Sequence, residues 1–409
     1  MTFASGVVRP PDLDVDAIRV CFPALRSGTA FFDGPGGSQT PDVVADAIRD
    51  AMLGPLSNRG STTASERNAE AIVHTFRQSM GQLLNADPRG VIFGRSMTAL
   101  TFDLARTVSA TWQPGDEIVV SRLDHDANIR PWVIAADRAG VTVRWADFDA
   151  DTAELPAENV AAQLSDRTRL VAVTAASNLI GTMPDVRTIA AAVHEAGALL
   201  YVDGVHYTAH SVVDVADLGA DFFACSPYKF LGPHCGVLAA RPDLLEGLHP
   251  DKLKPSTDQI PERFELGTLP YEIMAGVSAA VGFLAGITGF DGDRRARLVS
   301  SMTALARHED QLRVVIEQGL RQLPGVTIHS RAAHRTPTLL VTFAGHRSAD
   351  VSARLADERI NAPAGSFYAY EAARHLGLPD GGLRIGLSPY TNIDDVDRLL
   401  AALAACLSG

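Results

Sequence analysis

The feature that most limits the possible folds is a regular alternation, between about residues 88 and 240, of short apolar runs with longer helical stretches. The runs fall at 90–93, 117–121, 141–145, 169–174, 198–202, 222–225 and 236–239. Several are apolar at consecutive positions, the pattern of strands buried on both faces, and intervening segments such as 185–196 carry helical character. This predicts an α/β fold with a mostly parallel seven-stranded sheet. In such sheets ligands sit beyond the carboxyl ends of the strands, where Ser96, Asp124, Asn178, Asp203 and Ser226 would all lie in one crevice. After Tyr271 the texture changes to an apolar helix at about 271–287, a Gly-Phe-Asp-Gly-Asp break and a long amphipathic helix near 294–323. A strand at 336–343, a helix at 349–358, a strand at 383–387 and a closing helix at 392–406 complete a smaller α+β unit. The expected division is an N-terminal segment, 1–28, packing with the small domain, a large domain at 29–288 and a small C-terminal domain at 289–409.

A net charge of −12 argues against nucleic acid or an anionic membrane as the partner, since both are bound through excess Lys and Arg. A small molecule fits better. No run approaches the about 18 uncharged apolar residues of a membrane span, and the start lacks the basic-then-apolar order of a signal peptide, so a cytoplasmic location is expected. The four cysteines, Cys21, Cys225, Cys235 and Cys406, have neither paired metal-ligand spacing nor the density of a disulfide scaffold, and no metal is expected. Cys225 and Cys235 flank Lys229 and are read as packing residues.

The chemistry centres on Lys229. It follows the run at 222–225, and the preceding run ends in Val202-Asp203-Gly204. A strand that delivers an Asp, followed by a second that delivers a Lys, suits pyridoxal 5'-phosphate (PLP). The amine forms a Schiff base with the aldehyde, and the carboxylate keeps the pyridine nitrogen protonated. Ser96, Met97 and Thr98 open a helix whose backbone N–H groups suit a phosphate, although a plain N-cap explains the same residues. His125, in Asp124-His125-Asp126-Ala127-Asn128, is placed to lie against a cofactor ring; a metal reading of that cluster lacks a further ligand. Asn178 and His206 are candidates for the cofactor's phenolic oxygen or the substrate, against the plainer reading of satisfied core groups. Ser226 and Tyr228 add hydroxyls near the phosphate. Gly34-Pro35-Gly36-Gly37 completes no dinucleotide fingerprint and reads as a turn at the pocket entrance.

These residues carry a resemblance. Together with Phe32-Asp33-Gly34, Asn58-Arg59-Gly60, Ser65-Glu66-Arg67, Ser177-Asn178-Leu179, Ser226-Pro227-Tyr228-Lys229, Arg263-Phe264-Glu265-Leu266-Gly267-Thr268 and Leu383-Arg384-Ile385-Gly386, the chain resembles fold-type I PLP enzymes of the class V aminotransferase family, nearest to the Suf-type cysteine desulfurases. The resemblance implies that Lys229 anchors the cofactor, Asp203 pairs with its pyridine nitrogen and His125 stacks on its ring. It implies that Asn178 and His206 sit near the phenolic oxygen, with His206 standing where desulfurases usually carry Gln. It implies that Thr98, Ser226 and Tyr228 surround the phosphate, beside the helix start at Ser96 and Met97, with Tyr228 at a position that is His in desulfurases. Thr268 reaches the phosphate of the neighbouring subunit, which implies a homodimer. Arg384 grips the substrate α-carboxylate, beside Asn178 and Gly36 on the substrate side.

The chain departs from the desulfurase pattern at Ala364-Gly365-Ser366-Phe367-Tyr368-Ala369-Tyr370, where Tyr368 stands about where desulfurases place a nucleophilic Cys. A phenol cannot carry a persulfide. With Lys229, His125 and Tyr368 as the catalytic candidates, the favoured expectation is a desulfurase-like carbon-sulfur or β-elimination lyase acting on a small α-amino acid. Transamination, epimerisation, and desulfuration through an unrecognised sulfur acceptor remain as alternatives. A non-catalytic protein that keeps the fold is the rival from another class, and the presence of both Lys229 and Asp203 argues against it.

Overall fold

A computed structural model of the protein describes residues 13–408, so residues 1–12 of the expected N-terminal segment lie outside the described residues. All seven predicted runs are strands of one sheet, within a residue or two of their expected limits. The spatial order is Val91–Gly94, Gly236–Ala240, Phe222–Cys225, Leu199–Asp203, Thr168–Thr174, Glu117–Ser121, Thr142–Ala146. Gly236–Ala240 runs antiparallel to both neighbours and every other pairing is parallel.

The consecutive apolar runs follow from burial on two sides. Leu170, Ala172, Tyr201, Phe222 and Ala224 face one core with Trp132, while Val171, Val173, Leu200, Val202 and Phe223 face another with Phe76 and Met274. Successive side chains of a strand point to opposite faces, so neither face can be polar. The buried Tyr201 hydroxyl is satisfied by Thr101 Oγ1 at 2.7 Å, and its ring meets Trp132 edge-on with centroids 5.0 Å apart.

Helices at Asp42–Leu53 and Ala64–Leu84 were not anticipated from the sequence, although Ser65-Glu66-Arg67 lies in the second. The second is fixed by a capping box, Thr63 Oγ1 accepting from the Glu66 N–H while the Glu66 carboxylate accepts from the Thr63 N–H.

The smaller unit is a four-stranded antiparallel sheet ordered Ala364–Gly365, Gly382–Gly386, Thr338–Phe343, Val326–Ile328. The helices Arg294–Gln322, Ser348–Asp357 and Ile393–Ser408 share its apolar core. The strand expected from residue 336 begins at Thr338. The Thr336 N–H is taken by the Gly181 carbonyl across the boundary, which leaves it outside the ladder. The described N-terminal residues touch both units. Arg19 pairs with Asp395 at 2.7 Å, whereas Phe22 packs on Phe283 and Tyr390 with centroids 5.7 and 4.9 Å away. Ala30–Phe31 pairs in parallel with Ile360–Asn361. Among the described residues no helix is long and apolar enough to cross a membrane.

One close approach sets the site. A Cβ at Gly236 would stand 2.3 Å from Ser96 C and 2.4 Å from Met97 N, so the missing side chain lets the helix Met97–Ser109 begin directly against the sheet. Gly236→Ala should therefore displace that first turn and lower stability by about 1–3 kcal/mol. A reduced urea midpoint at unchanged slope is the expected reading, and an unchanged midpoint would contradict this packing.

Candidate active site

A cavity of about 370 Å³ lies at the carboxyl ends of the strands. Of the residues expected in the site, all but Thr268 and Asp124 line it: Gly36, Ser96, Met97, Thr98, His125, Asn178, Asp203, His206, Ser226, Tyr228, Lys229, Tyr368 and Arg384. Thr268 is exposed on this chain. The loop that carries it is anchored one turn earlier, where Glu265 pairs with Arg77 at 2.8 Å and accepts from the Phe93 N–H at 2.9 Å. Asp124, expected in the crevice, is not among the lining residues. Its buried carboxylate accepts from Ser121 Oγ and, at 2.6 Å, from Asn128 Nδ2, so it braces the turn that presents His125.

Lys229 follows the central strand Phe222–Cys225, on the short turn Pro227–Lys229. Its Nζ donates to the Pro35 carbonyl and lies 4.9 Å from the centre of the Tyr228 ring, which stacks on His234 at 4.6 Å. Burial lowers the amine's pKa to about 7, with the Arg384 cation pushing the same way and Asp203 opposing both. Asp203 ends the neighbouring strand Leu199–Asp203, and its Oδ1 accepts from the Val205 N–H at 2.9 Å. Burial raises its pKa to about 6, a shift that the Val205 N–H and Lys229 reduce.

His125 Nδ1 accepts from the Ala127 N–H at 3.0 Å, which leaves the proton of the neutral ring on Nε2. Burial, with Lys229 adding to it, holds the His125 pKa at about 4, so the ring is neutral at physiological pH. His206 Nε2 lies 2.9 Å from both Thr336 Oγ1 and Thr338 Oγ1, and burial depresses its pKa strongly. That ring ties the larger sheet to the smaller one. Ser96 acts as the N-cap, its Oγ accepting from the Ala99 N–H at 3.1 Å, so the capping reading holds even though the residue also lines the cavity.

Arg384 enters from the strand Gly382–Gly386 of the smaller unit. Its Nη1 donates to the Asn178 carbonyl at 2.9 Å, its guanidinium lies 3.6 Å from the centre of the Phe367 ring, and Nε is buried without a partner. Asn178 Nδ2 in turn donates to the Phe367 carbonyl at 3.0 Å. Phe367 and Tyr368 both have left-handed backbones, φ 52° and 58°. Non-glycine residues there cost about 1–2 kcal/mol each. The turn drives Phe367 under Arg384 and leaves the Tyr368 side chain at the rim, 78% exposed, with its ring centroid 5.7 Å from that of His125.

With this geometry in hand, comparison with known proteins is decisive at the level of family. The sequence profile described as Aminotransferase class-V matches residues 30–399. The chain belongs to the class V aminotransferase family. It is 31% identical to the aminotransferase-like protein FGM3 of Gibberella zeae, over 96% of this chain and 98% of that one. It is 30% identical to a cysteine desulfurase of Dickeya dadantii, over 95% and 96%. The crystal structure of the cysteine desulfurase CsdA of Escherichia coli, in its S-sulfonic acid form, superposes with a TM-score of 0.86 at 27% identity, covering 97% of this chain and 99% of that one.

Class V aminotransferase family members are PLP-dependent enzymes, and the cavity fits that cofactor. Its donor set holds a buried amine with a lowered pKa, a buried acid on the next strand and the hydroxyls of Thr98 and Ser226 beside a helix start. Asn178 Oδ1 is buried with no partner, an acceptor in the wall that a ligand donor would satisfy. Gly236 clears the approach to the helix start.

Four contributors escaped the sequence reading. Phe367 and the hydroxyls of Thr336 and Thr338 act through side-chain contacts between distant segments, and no local pattern marks them. The Pro35 carbonyl is a backbone group, signalled only by the Gly-Pro-Gly turn around it.

An amine must be neutral to add to an aldehyde, so the rate of PLP uptake by the apoprotein should rise as pH increases through about 7 and level off above it. Borohydride trapping at Lys229 across a pH series measures this. A midpoint at the ordinary lysine value would contradict the environment described.

Proposed function

We propose that the protein is a PLP-dependent lyase that removes a β-substituent, most readily a sulfur group, from a small α-amino acid. The observation that carries the reading is a desulfurase-like cavity whose mouth is built from Phe367 and Tyr368, with no thiol in its lining. Cys225, Cys235 and Cys406 are buried in packing, and burial raises the thiol pKa of Cys225 and Cys235. Cys21 lies on the N-terminal segment.

The residues divide the work. Arg384 binds the substrate carboxylate, its unpartnered Nε supplying a donor, while the Phe367 ring beneath fixes the guanidinium plane. Lys229 would hold the cofactor and, as a free amine with a pKa of about 7, would serve as the base that takes the Cα proton at neutral pH. Bound PLP supplies an electron sink for the pair left on Cα. Asp203 would pair with the pyridine nitrogen, the neutral His125 ring would stack on the cofactor, and Thr98, Ser226 and Tyr228 would hold its phosphate. As the Cα–H bond breaks toward Lys229, the β-substituent leaves with its bonding pair. Water then hydrolyses the released enamine to pyruvate and ammonia.

L-cysteine and S-methyl-L-cysteine should accordingly yield equal amounts of pyruvate and ammonia, with no persulfide on the protein, and Lys229→Ala should abolish both products. Parallel assay of pyruvate, ammonia, other keto acids, inverted amino acid and protein-bound sulfur discriminates the outcomes. A protein persulfide would restore the desulfurase reading, and formation of an amino acid from an added keto acid would favour transamination.

The proposal extends to a homodimer in which Thr268 reaches the partner's phosphate site. The exposure of Leu253 and Leu266, 67% and 60%, near that loop supports it. Light scattering should give two chains per particle, and Thr268→Ala should weaken PLP retention. A monomer that retains PLP equally well would rule this out.

A further inference from the structure

We propose that the groove outside the catalytic cavity is a subsite for an aromatic group on the substrate side chain, with Tyr368 as its stacking platform. This extends the substrate of the reading above from a small α-amino acid to one whose β-substituent carries an aromatic group, and rests on Lys229 and Arg384 holding an α-amino acid. Phe367 and Tyr368 line both the inner cavity and an open groove of about 500 Å³ whose other walls are Asp126, Arg130, Ser366 and Tyr370. The two spaces therefore share a border formed by these two residues. A substrate with its amine at Lys229 and its carboxylate at Arg384 has both charged ends held inside, and only its side chain is free to run outward.

What it meets there is aromatic and charge-matched. Arg130 pairs with Asp126 at 2.8 Å and approaches Glu371 at 3.5 Å, so the groove offers no unmatched charge from these groups. Tyr368 and Tyr370 present large rings, 78% and 49% exposed. The left-handed turn that places Tyr368 outward is held from three directions. Asp126 N–H donates to the Tyr368 carbonyl at 2.8 Å, Ala369 N–H to the Ser366 carbonyl at 2.9 Å, and Asn178 Nδ2 to the Phe367 carbonyl at 3.0 Å. Phe367 is occupied beneath Arg384, whereas the face of Tyr368 remains for a ligand ring. Offset stacking against it selects a neutral planar group over an alkyl chain of similar length.

The test uses amino acids with no β leaving group, so that binding is read separately from elimination. The holoenzyme is titrated with L-2-amino-4-phenylbutanoate and with L-2-aminobutanoate, followed by the cofactor absorbance. The phenyl compound should bind about tenfold more tightly. That preference should survive Tyr368→Phe and shrink to about twofold or less in Tyr368→Gly, a substitution that suits the positive φ and so preserves the turn. Equal affinities in the unsubstituted enzyme, as expected if a second copy of the chain fills the groove, would overturn the proposal. So would a preference that persists in Tyr368→Gly. If the pyruvate assay fails while the phenyl preference holds, the elimination reading falls and the subsite stands.

Discussion

Burial of the Lys229 amine between a carboxylate and a guanidinium is the constraint around which both parts of the chain are arranged. Asp203 arrives from the parallel sheet and Arg384 from the antiparallel one, so the electrostatics of the amine exist only once the two units are docked. Desolvation and Arg384 favour the neutral amine, and Asp203 favours the cation. The balance leaves a nucleophile at neutral pH where a free lysine would be protonated. His206, hydrogen-bonded to Thr336 and Thr338 of the smaller unit, fastens the same junction from the other side of the cavity.

The turn at Phe367–Tyr368 is the second determinant. It combines two unfavourable backbone conformations with a hydrogen bond to Asn178 and a ring packed under Arg384, so one loop both positions the Arg384 guanidinium and forms the rim of the cavity. Residues held in sparsely populated conformations by several surrounding contacts are characteristic of ligand sites. Here the strain has a visible consequence, which is that consecutive side chains point one inward and one outward.

Much of this was legible in the sequence because the relevant signals are local. The apolar runs that pack on two faces gave the strands, and the Asp-ending run followed by a Lys-bearing turn pointed to Asp203 and Lys229, which both line the cavity. Ser96 shows the limit of such reading: the helix cap was one of two local alternatives, and its Oγ does accept from the Ala99 N–H while the residue also lines the cavity. Asp124 shows another limit. It follows a strand as a crevice residue should, yet it turns inward to Ser121 and Asn128, because a buried carboxylate takes whatever donors its turn offers. The capping box at Thr63 and Glu66 is likewise a local signal, a Thr three residues before a Glu at a helix start.

The sequence by itself determined the strand and helix order, the crevice at the strand ends and Lys229 and Asp203 as candidates within it, because periodicity and residue chemistry survive in one dimension; Arg384 was marked only by the family resemblance. Tertiary structure alone decided how these groups act on one another. The pKa of Lys229 depends on burial and on a guanidinium 155 positions away in the chain. Phe367 under Arg384, Tyr368 beside His125, and the threonines on His206 likewise depend on distances between segments whose proximity no local pattern encodes.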